Sequence, residues 1–266
     1  MKQYLLKTSI GHFMLAARDK VEIVSAALLN PESVGTLAND QLATYLITRL
    51  CGKGKVFIDV GAHIGSILSE VRRNCESVEI FAIEAIPGKA DNIRNSFKGV
   101  TVYNCAVGDH EGDVTFYENT QKSGYSSLLK PSNLDFVNEL TVPLRKLDNL
   151  ISHQGVDVIK IDVEGAELSV LQGSNSIIKT SNPVILFESA PGEESIKKDL
   201  WSYFHSHDYI LLAPNRLAHN DTGLGLESFL DAHLYPRRTT NYFAVPKERQ
   251  IATRNQAREL LNIHTK

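Results

Sequence analysis

Short apolar runs that alternate with helical segments are the feature of this sequence that most restricts its fold. The runs predict seven strands: Val56–Val60, Val78–Glu84, Val100–Val107, Val156–Val163, Val184–Ser189, Tyr209–Leu212 and Asn241–Val245. Helices are predicted over 36–50, 65–73, 88–97 and 193–207, with another that starts near Gly165. Strands that alternate with helices form βαβ units. The sequence therefore predicts an α/β fold with a mainly parallel seven-stranded sheet and helices on both faces.

The chain shows no internal repeat and no low-complexity linker, so residues 1–266 are predicted as a single domain. Apolar and polar residues alternate over 4–28, which predicts short antiparallel strands. We therefore interpret 1–35 as a β extension and 36–250 as the core of the domain. Residues 251–266 are predicted as a helical tail.

Two long connections interrupt the alternation of strands and helices. The first, 108–155, contains the strand-like VTFYEN and the small-residue loop SGYSS at 123–127. The second, 215–240, ends with the basic residues Arg237 and Arg238. Insertions of this length are often lids or substrate walls. The SGYSS loop therefore either covers an acceptor or is a surface hairpin. The basic pair either binds an acidic group of the acceptor or is simply exposed.

The charge and the cysteines of the chain exclude several classes of protein. Lysine and arginine number 28 against 31 acidic residues, and the net charge of −3 gives no reason to expect a nucleic-acid or membrane partner. Three cysteines without CxxC spacing predict neither a disulfide framework nor a zinc site. The sequence shows no apolar run of transmembrane length and no convincing signal peptide, so it predicts a cytoplasmic protein.

Acidic residues at the ends of the predicted strands are the strongest functional signal. In a doubly wound sheet, ligands bind beyond the carboxyl ends of the strands, where the strand order reverses. Asp59 ends the first strand and Glu84 the second, while Asp162 and Glu164 end the fourth and Glu188 the fifth. These side chains are expected to surround one ligand.

The turn after the first strand, in VFIDVGAHIG, resembles a nucleotide-binding turn that lacks its central glycine. Gly61 and Gly65 are present, but His63 occupies the region of the glycine that admits a pyrophosphate. Glu84 is placed to accept hydrogen bonds from ribose hydroxyls. A positively charged nucleoside without phosphate fits this pattern, and S-adenosylmethionine is such a molecule. The alternative is that the two glycines only form a tight turn.

Seven stretches also carry a family resemblance. They are FIDVGAHIG (57–65), FAIEAIP (81–87), NCAVGDHEGDVTFY (104–117), VPLRKLDNLI (142–151), VIKIDVEGAELSVLQG (158–173), ILFESAP (185–191) and NYFAVP (241–246). Over roughly 10–246 the chain resembles the FkbM family of class I S-adenosylmethionine-dependent methyltransferases, although family members more often carry Asn than His at position 63. The resemblance implies a Rossmann-like class I methyltransferase fold. It also implies methylation of a hydroxyl on a sugar, glycan or other small natural product.

The resemblance further implies a set of cofactor-binding residues. They are Asp59, Gly61, Ala62, His63, Gly65, Glu84, Ala85, Ala106, Val107 and Asp109. The glycine turn would surround the methionine end of the cofactor, and Asp59 would orient that turn or meet the ammonium group. Glu84 would hold the ribose, and Ala106 and Val107 would flank the adenine. Asp109 either reaches the adenine amino group or is a turn residue.

Catalysis would depend mainly on position, because methyl transfer from a sulfonium is an in-line displacement with a neutral leaving group. An aliphatic hydroxyl is a poor nucleophile, so a base is useful. The candidate bases are Asp162, Glu164 and Glu188. Glu164 and Glu167 have an alternative role in complementing a helix dipole, and Glu188 an alternative as a solvated strand end. Lys160 is expected to pair with a carboxylate.

The same residues are also compatible with other functions. A nicotinamide-dependent oxidoreductase would also have an acid at the end of the second strand, but it would require the central glycine that is missing near His63. A protein that binds S-adenosylmethionine without catalysis is the other alternative. Nucleic-acid base methylation is disfavoured because DVEG at 162–165 lacks an Asn/Asp-Pro-Pro-aromatic signature. No metal site is predicted, since His219, His233 and their acidic neighbours fit no ligand spacing.

Overall fold

The structure is a computed structural model that describes residues 20–121, 126–128, 130, 135–152, 155–189 and 192–263. The strands predicted before residue 20, the first three residues of the SGYSS loop and the last three residues of the helical tail lie outside the described residues. Within the described part of the chain, none of the helices combines the length and the apolar character that a membrane span requires.

The strands and helices alternate along most of the chain. The strands are β1 (Val56–Val60), β2 (Glu79–Ile83), β3 (Val100–Tyr103), β4 (Ala106–Val107), β5 (Gly112–Asn119), β6 (Val137–Arg145), β7 (Val158–Ile161), β8 (Val184–Glu188), β9 (Tyr209–Leu212) and β10 (Asn241–Pro246). The first helices are α1 (residues 20–29), α2 (Val34–Leu50), α3 (Ser66–Asn74), α4 (Pro87–Ser96) and α5 (Leu147–Leu150). The others are α6 (Glu167–Gln172), α7 (Asn175–Ser181), α8 (Glu194–Ser206), α9 (Leu226–Asp231) and α10 (Gln250–Leu260).

The main sheet has seven strands in the order β3-β2-β1-β7-β8-β10-β9. The first five of these strands are parallel, and β10 runs antiparallel to both β8 and β9. The predicted mainly parallel seven-stranded sheet is therefore confirmed. The chain moves outward from β1 to β3 and then returns to β7 beside β1. The strand order consequently reverses between β1 and β7, which is where ligands bind in such sheets.

Two apolar cores cover the two faces of this sheet. On one face, the central strands pack against α2, α3, α4 and α10, and on the other against α6, α7, α8 and α9. Side chains alternate between the faces of a strand, so Ile58 and Val60 join one core and Phe57 joins the other. Burial on both faces explains why the central strands are almost continuous apolar runs. Asp59, within β1, is the exception to that apolar run.

The first insertion contains β5 and β6, which form a second sheet of three strands with β4, in the order β4-β6-β5. The long pair β5 and β6 is antiparallel, with a register from Gly112 opposite Leu144 to Asn119 opposite Val137. The predicted third strand, Val100–Val107, is wrong as a single element, because β3 belongs to the main sheet and β4 to the second one. Asn104 lies at the break, where its side-chain amide donates hydrogen bonds of 2.9 Å to the carbonyl oxygens of Glu84 and Ala85.

The N-terminal prediction is wrong over residues 20–28, where the chain forms α1 instead of strands. Val21, Val24 and Leu28 recur at the spacing of a helix face, and the segment contains the good helix formers alanine and leucine. Alternation of apolar and polar residues was a weaker signal than this spacing. At the other end, α10 packs against the α2 face of the sheet.

Candidate active site

A cavity of about 470 Å³ opens at the carboxyl ends of β1, β2, β7 and β8, at the reversal of strand order. This volume lies within the range of small-molecule sites. The loops after these strands form its floor. The second sheet supplies one wall, α2 contributes Thr44, and β10 contributes Asn241.

Most of the predicted site residues meet in this cavity. Those that line it are Gly61, Ala62, His63, Glu84, Ala85, Ala106, Val107, Asp162, Glu164 and Glu188. The structure does not bring Asp59, Gly65 or Asp109 to its surface. Asp59 lies beneath the floor, completely buried.

The turn after β1 has a backbone that requires glycine at its first position. Gly61 has a φ of 83°, and a Cβ atom on it would lie 1.9 Å from the carbonyl oxygen of Asp162. The N–H groups of Gly61 and Ala62 both donate to the carbonyl of Ile83 at 3.0 Å, so the turn bends over the end of β2. His63 follows with a φ of 52°, which is uncommon for a residue other than glycine.

Glu84 is held so that its carboxylate faces the cavity. It is buried, and its two oxygens accept one backbone hydrogen bond each, from His63 at 2.8 Å and from Ile86 at 2.9 Å. Burial raises the pKa of Glu84, while the bond from Ile86 and the charge of Lys89 lower it. A carboxylate has about four lone-pair sites, so each oxygen keeps one for a ligand hydroxyl.

The second sheet supplies an apolar wall next to Glu84. Ala85 and Ala106 pack there with Phe116 in a small buried cluster, and Phe116 and Leu128 line the cavity. Sequence reasoning missed these last two residues. The alternating pattern of VTFYEN was the available signal for Phe116, because it predicts a strand with one buried face. No comparable signal exists for Leu128.

Lys160 lines the floor of the cavity and connects β7 to β1. It is the register partner of Asp59, and its Nζ lies 2.9 Å from Asp162 Oδ2 and 3.6 Å from Asp59 Oδ1. The longer distance is an ion pair without a hydrogen bond, and within the described residues neither oxygen of Asp59 accepts one. Burial alone would lower the pKa of Lys160, but the charges of Asp162 and Asp59 raise it above its ordinary value. The predicted pairing of Lys160 is thus present.

Asp162, Glu164 and Glu188 form a cluster in which one oxygen of each lies within 4.8 Å of the others. Burial, followed by the charge of Asp162, raises the pKa of Glu188 to about 9, and the two carboxyls are hydrogen-bonded. Burial would also raise the pKa of Asp162, but Lys160 and the bond from Glu188 hold it below its ordinary value. At neutral pH Glu188 therefore carries the proton and donates it to an ionised Asp162.

Glu164 differs from its neighbours in both backbone and charge. Its φ is 54°, and Gly165 follows with a φ of 99°. Non-glycine residues held in this region are often found at functional sites. Burial raises the pKa of its carboxyl to about 7, with further contributions from the charges of Asp162 and Glu167. Glu167 itself accepts a hydrogen bond from the N–H of Gly165 at 3.0 Å, which is a structural role.

The three clustered carboxylates would also suit a cation that prefers oxygen ligands. Lys160 already places an ammonium against one of them. The absence of a metal from this protein stays a prediction.

Gly65 and Asp109 have structural roles away from the cavity. Gly65 has a φ of 80° and precedes α3, and a Cβ atom there would lie 2.5 Å from the ring of Phe97. The exposed carboxylate of Asp109 accepts a hydrogen bond from the hydroxyl of Ser169 and contacts the ring of His110. This arrangement favours the turn interpretation of Asp109.

The second insertion is fixed to the end of β8 by a buried histidine. His233 lies 2.7 Å from the carbonyl of Phe229 through Nδ1 and 2.8 Å from the hydroxyl of Ser189 through Nε2. Since a carbonyl only accepts, Nδ1 is the donor, and Nε2 of the neutral ring accepts from Ser189. Of the basic pair in this insertion, Arg238 forms an ion pair with Asp231 at 3.0 Å.

Comparison with known proteins agrees with this architecture. The family model for the methyltransferase FkbM domain matches residues 59–211, which is more than half of the chain. The chain belongs to the FkbM methyltransferase family. The resemblance found in the sequence is thereby confirmed. No protein of curated function matches the chain.

A solved structure of an FkbM methyltransferase shows the same fold. A methyltransferase FkbM from Methylobacillus flagellatus aligns with a TM-score of 0.52 at 19% identity, over 86% of this chain and 59% of that one. This FkbM chain thus spans less than two thirds of that relative. A precorrin-6y C5,15-methyltransferase from Geobacter metallireducens aligns with a TM-score of 0.39 at 16% identity, over 64% and 72% of the two chains. Fibrillarin from Aeropyrum pernix, solved with natively bound S-adenosyl-L-methionine, aligns with a TM-score of 0.43 at 11% identity, over 77% and 74%.

Proposed function

We propose that this FkbM protein is an S-adenosylmethionine-dependent O-methyltransferase that methylates a hydroxyl of a sugar, glycan or other small natural product. The observation that carries the proposal is one cavity that contains both a ribose-binding type of carboxylate, Glu84, and a carboxyl with a pKa near neutrality, Glu164. Family membership supports methyl transfer as the reaction.

The residues of the cavity fit S-adenosylmethionine. Glu84 keeps acceptor sites for two ribose hydroxyls, and the apolar wall of Ala106, Val107 and Phe116 suits an adenine. The acidic floor favours a ligand with positive charge and disfavours a pyrophosphate. When bound, this cofactor supplies a methyl group on a positively charged sulfur; a nucleophile can attack the methyl carbon, and the sulfur leaves as a neutral thioether.

Glu164 is the base that the geometry favours among the three carboxyls. Asp162 is engaged by Lys160 and Glu188, and Glu188 is already protonated at neutral pH. Only the carboxyl of Glu164, with a pKa of about 7, is ionised in part and still able to gain a proton. A base is most effective when its pKa lies near the working pH. Glu164 would accept the proton of the acceptor hydroxyl.

The charges of the cavity favour a neutral acceptor with several hydroxyl groups. Asp162 and the ionised fraction of Glu164 carry negative charge in this space, and Glu188 is protonated. The ammonium of Lys160 is held against Asp59 and Asp162. Like charges about 4 Å apart repel by about 1 kcal/mol in water and about 4 kcal/mol near a protein surface. A phosphate of a nucleic acid or a sugar phosphate would meet this repulsion. A second hydroxyl could instead donate to the Asp162–Glu188 pair.

Binding and turnover test the proposal separately. Calorimetry should show binding of S-adenosylmethionine and none of NAD. The variant Glu84→Ala should weaken binding by at least about ten- to a hundredfold, because the loss of even one hydrogen bond to a charged group costs about 1.5–3 kcal/mol. Asp109→Ala is the matched control, an acid outside the cavity, and should bind like the native protein. Tight NAD binding without S-adenosylmethionine binding would contradict the proposal.

Turnover is measured as S-adenosylhomocysteine released with a panel of acceptors. Neutral sugars and polyols should be methylated, and their phosphorylated forms should be poor acceptors. Binding of S-adenosylmethionine without turnover on any acceptor class would favour the non-catalytic alternative.

A further inference from the structure

A hydrogen bond joins the first insertion to the backbone of Glu164. The hydroxyl of Ser127 donates to the carbonyl oxygen of Glu164 at 2.7 Å. Ser127 is itself fixed by β5, because its N–H and carbonyl exchange hydrogen bonds of 3.1 and 2.9 Å with Tyr117. The side chain is almost fully buried. The contact therefore ties the loop after β7 to a strand that is far from it in sequence.

The backbone of Glu164, which accepts this bond, has an unfavourable conformation. A left-handed conformation costs a non-glycine residue about 1–2 kcal/mol, and it persists only where the surroundings fix it. Glu164 has this conformation. Ser127 holds the carbonyl of Glu164, and Glu167 holds the next N–H, that of Gly165. Together these two bonds set the direction in which the Glu164 side chain leaves the loop.

The residues on either side of Ser127 face the cavity. Ser126 and Leu128 line it, together with Phe116 from β5. In an extended segment, successive side chains point to opposite sides, which agrees with Ser127 pointing to the loop while its neighbours border the ligand space. A ligand packed against Ser126 and Leu128 would therefore restrict the backbone that holds Ser127 in place.

We propose that Ser127 is a positioning residue for methyl transfer, which holds Glu164 in its left-handed conformation and connects that conformation to the wall of the cofactor space. This proposal rests on the proposed function, since it assigns to Ser127 an effect on the base of that reaction. The first insertion would then position a reacting side chain in addition to lining the cavity.

The test compares Ser127→Ala with two other variants. Ser127→Thr keeps the hydroxyl. Thr120→Val is the matched control, because the hydroxyl of Thr120 also donates to a backbone carbonyl of this insertion, that of Phe136 at 2.9 Å, but it is exposed and does not contact Glu164. Thermal unfolding shows that each variant is folded, and a Ser127→Cys variant replaces Ser127→Ala if the latter is not.

Kinetics and a titration then report on Glu164. Ser127→Ala should lower kcat about tenfold or more, because a small misplacement of a reacting group is costly, and should change the affinity for S-adenosylmethionine by less than about twofold. Its kcat–pH midpoint should move away from that of the native protein. Ser127→Thr should restore both the rate and the midpoint, and Thr120→Val should leave both unchanged.

An NMR titration of ¹³C-labelled glutamate side chains gives a readout that does not depend on turnover. The Glu164 signal is assigned by its loss in Glu164→Gln. We expect its midpoint to move in Ser127→Ala and to stay in Thr120→Val. A native midpoint in Ser127→Ala overturns the proposal, whether or not the rate falls. If instead Glu164→Gln keeps the native rate, the base assignment fails, while the titration still decides whether Ser127 positions Glu164.

Discussion

At the scale of single residues, Glu164 concentrates the features expected of a base. It is half-buried, it has a left-handed backbone, and burial with two neighbouring charges raises the pKa of its carboxyl to about 7. None of these features is visible in the string DVEGAE, where the glutamate is one of several acids. They arise from the packing of the loop after β7.

The first prediction concerns the pH dependence of the rate. A base must be ionised to accept a proton, so kcat/KM should be low at pH 5, rise through about pH 7 and then level off. Glu164→Gln should remove this rise and lower kcat about 10²- to 10⁴-fold, with the affinity for S-adenosylmethionine kept. The measurement is a pH series of initial rates for both proteins. An unchanged rate for Glu164→Gln at saturating acceptor would show that another group is the base.

The second prediction concerns stability without ligands. The folded pKa of Glu164 lies above its unfolded value of 4.5, so the folded state binds the proton more tightly. The contribution of Glu164 to the free energy of unfolding therefore falls as the pH rises from about 4.5 to 7, and this decrease is complete above pH 7. Glu164→Gln should therefore raise the Tm by about 2–4 °C at pH 8 and leave it nearly unchanged at pH 4.5. Denaturation curves at the two pH values test this, and a lower Tm at pH 8 would contradict it.

At this scale the sequence predicts which residues lie in the site better than it predicts their protonation and burial. Glu84, Asp162, Glu164 and Glu188 meet in one cavity because parallel strands end at one edge of the sheet, and their roles stay predictions. The proton on Glu188 and the burial of Asp59 depend on distances and on burial that no spacing in the sequence contains. For Asp109 the sequence leaves a cofactor role and a turn role open, and the contacts with Ser169 and His110 favour the turn role.

At the scale of elements, the register of β1 and β7 places a buried ammonium between two carboxylates. Asp59 and Lys160 are directly opposite each other, and Asp162 follows two residues later on β7. The ion pair therefore holds two strands together at the point where the strand order reverses. It also keeps Asp162 ionised beside the protonated Glu188.

The third prediction follows from this pair. Lys160→Met should lower the free energy of unfolding by about 3–5 kcal/mol, because it leaves buried carboxylates without a cation. Asp59→Asn in the same chain should recover part of that loss, since it removes one of the unpaired charges. Urea unfolding of the native protein, the two single variants and the double variant measures the coupling. Additive losses would show that Asp59 and Lys160 do not interact.

Elements were predicted well where their apolar pattern was long and periodic. The main strands and the helices α2, α3, α4, α6, α8 and α10 follow from that pattern, whereas the short helices α5, α7 and α9 were not predicted. The sequence does not show the break between β3 and β4, because both are apolar and nearly consecutive; the hydrogen bonds of Asn104 and the pairing with different strands separate them. Residues 20–28 form a helix although apolar and polar residues alternate there, because the same window also contains helical spacing.

At the scale of the whole molecule, a close backbone contact joins the turn after β1 to the loop after β7. Gly61 touches the carbonyl of Asp162 so closely that no side chain fits. The turn that would bind the cofactor and the loop that carries the clustered carboxylates are packed backbone against backbone.

The fourth prediction tests this contact. Gly61→Ala should destabilise the protein by more than about 2 kcal/mol and weaken S-adenosylmethionine binding, because the methyl group must push the two backbones apart. Gly54→Ala is the matched control, since Gly54 also has a positive φ, of 73°, but an added Cβ there meets no atom within 4 Å. Chemical denaturation and calorimetry separate the two effects. Equal losses in both variants would mean that backbone strain alone explains the result.

The sequence could predict the architecture of the molecule but not how the insertions close on it. Alternating strands and helices determine the sheet, because few topologies satisfy such a pattern. The contacts of Ser127 with Glu164 and of His233 with Ser189 are each made between distant segments. Short polar side chains of this kind give no periodic signal, so their partners emerge only when the chain is folded.

The close contact at Gly61 also has a consequence for how such an enzyme could acquire new acceptors. In the floor of the cavity, the backbone at Gly61 packs directly on the carbonyl of Asp162, and an added methyl group does not fit. A substitution there should therefore impair the reaction before it changes the choice of acceptor. The walls are supplied by separate segments, among them the second sheet and α2. Engineering of acceptor choice should therefore exchange or mutate the walls and leave the floor as it is.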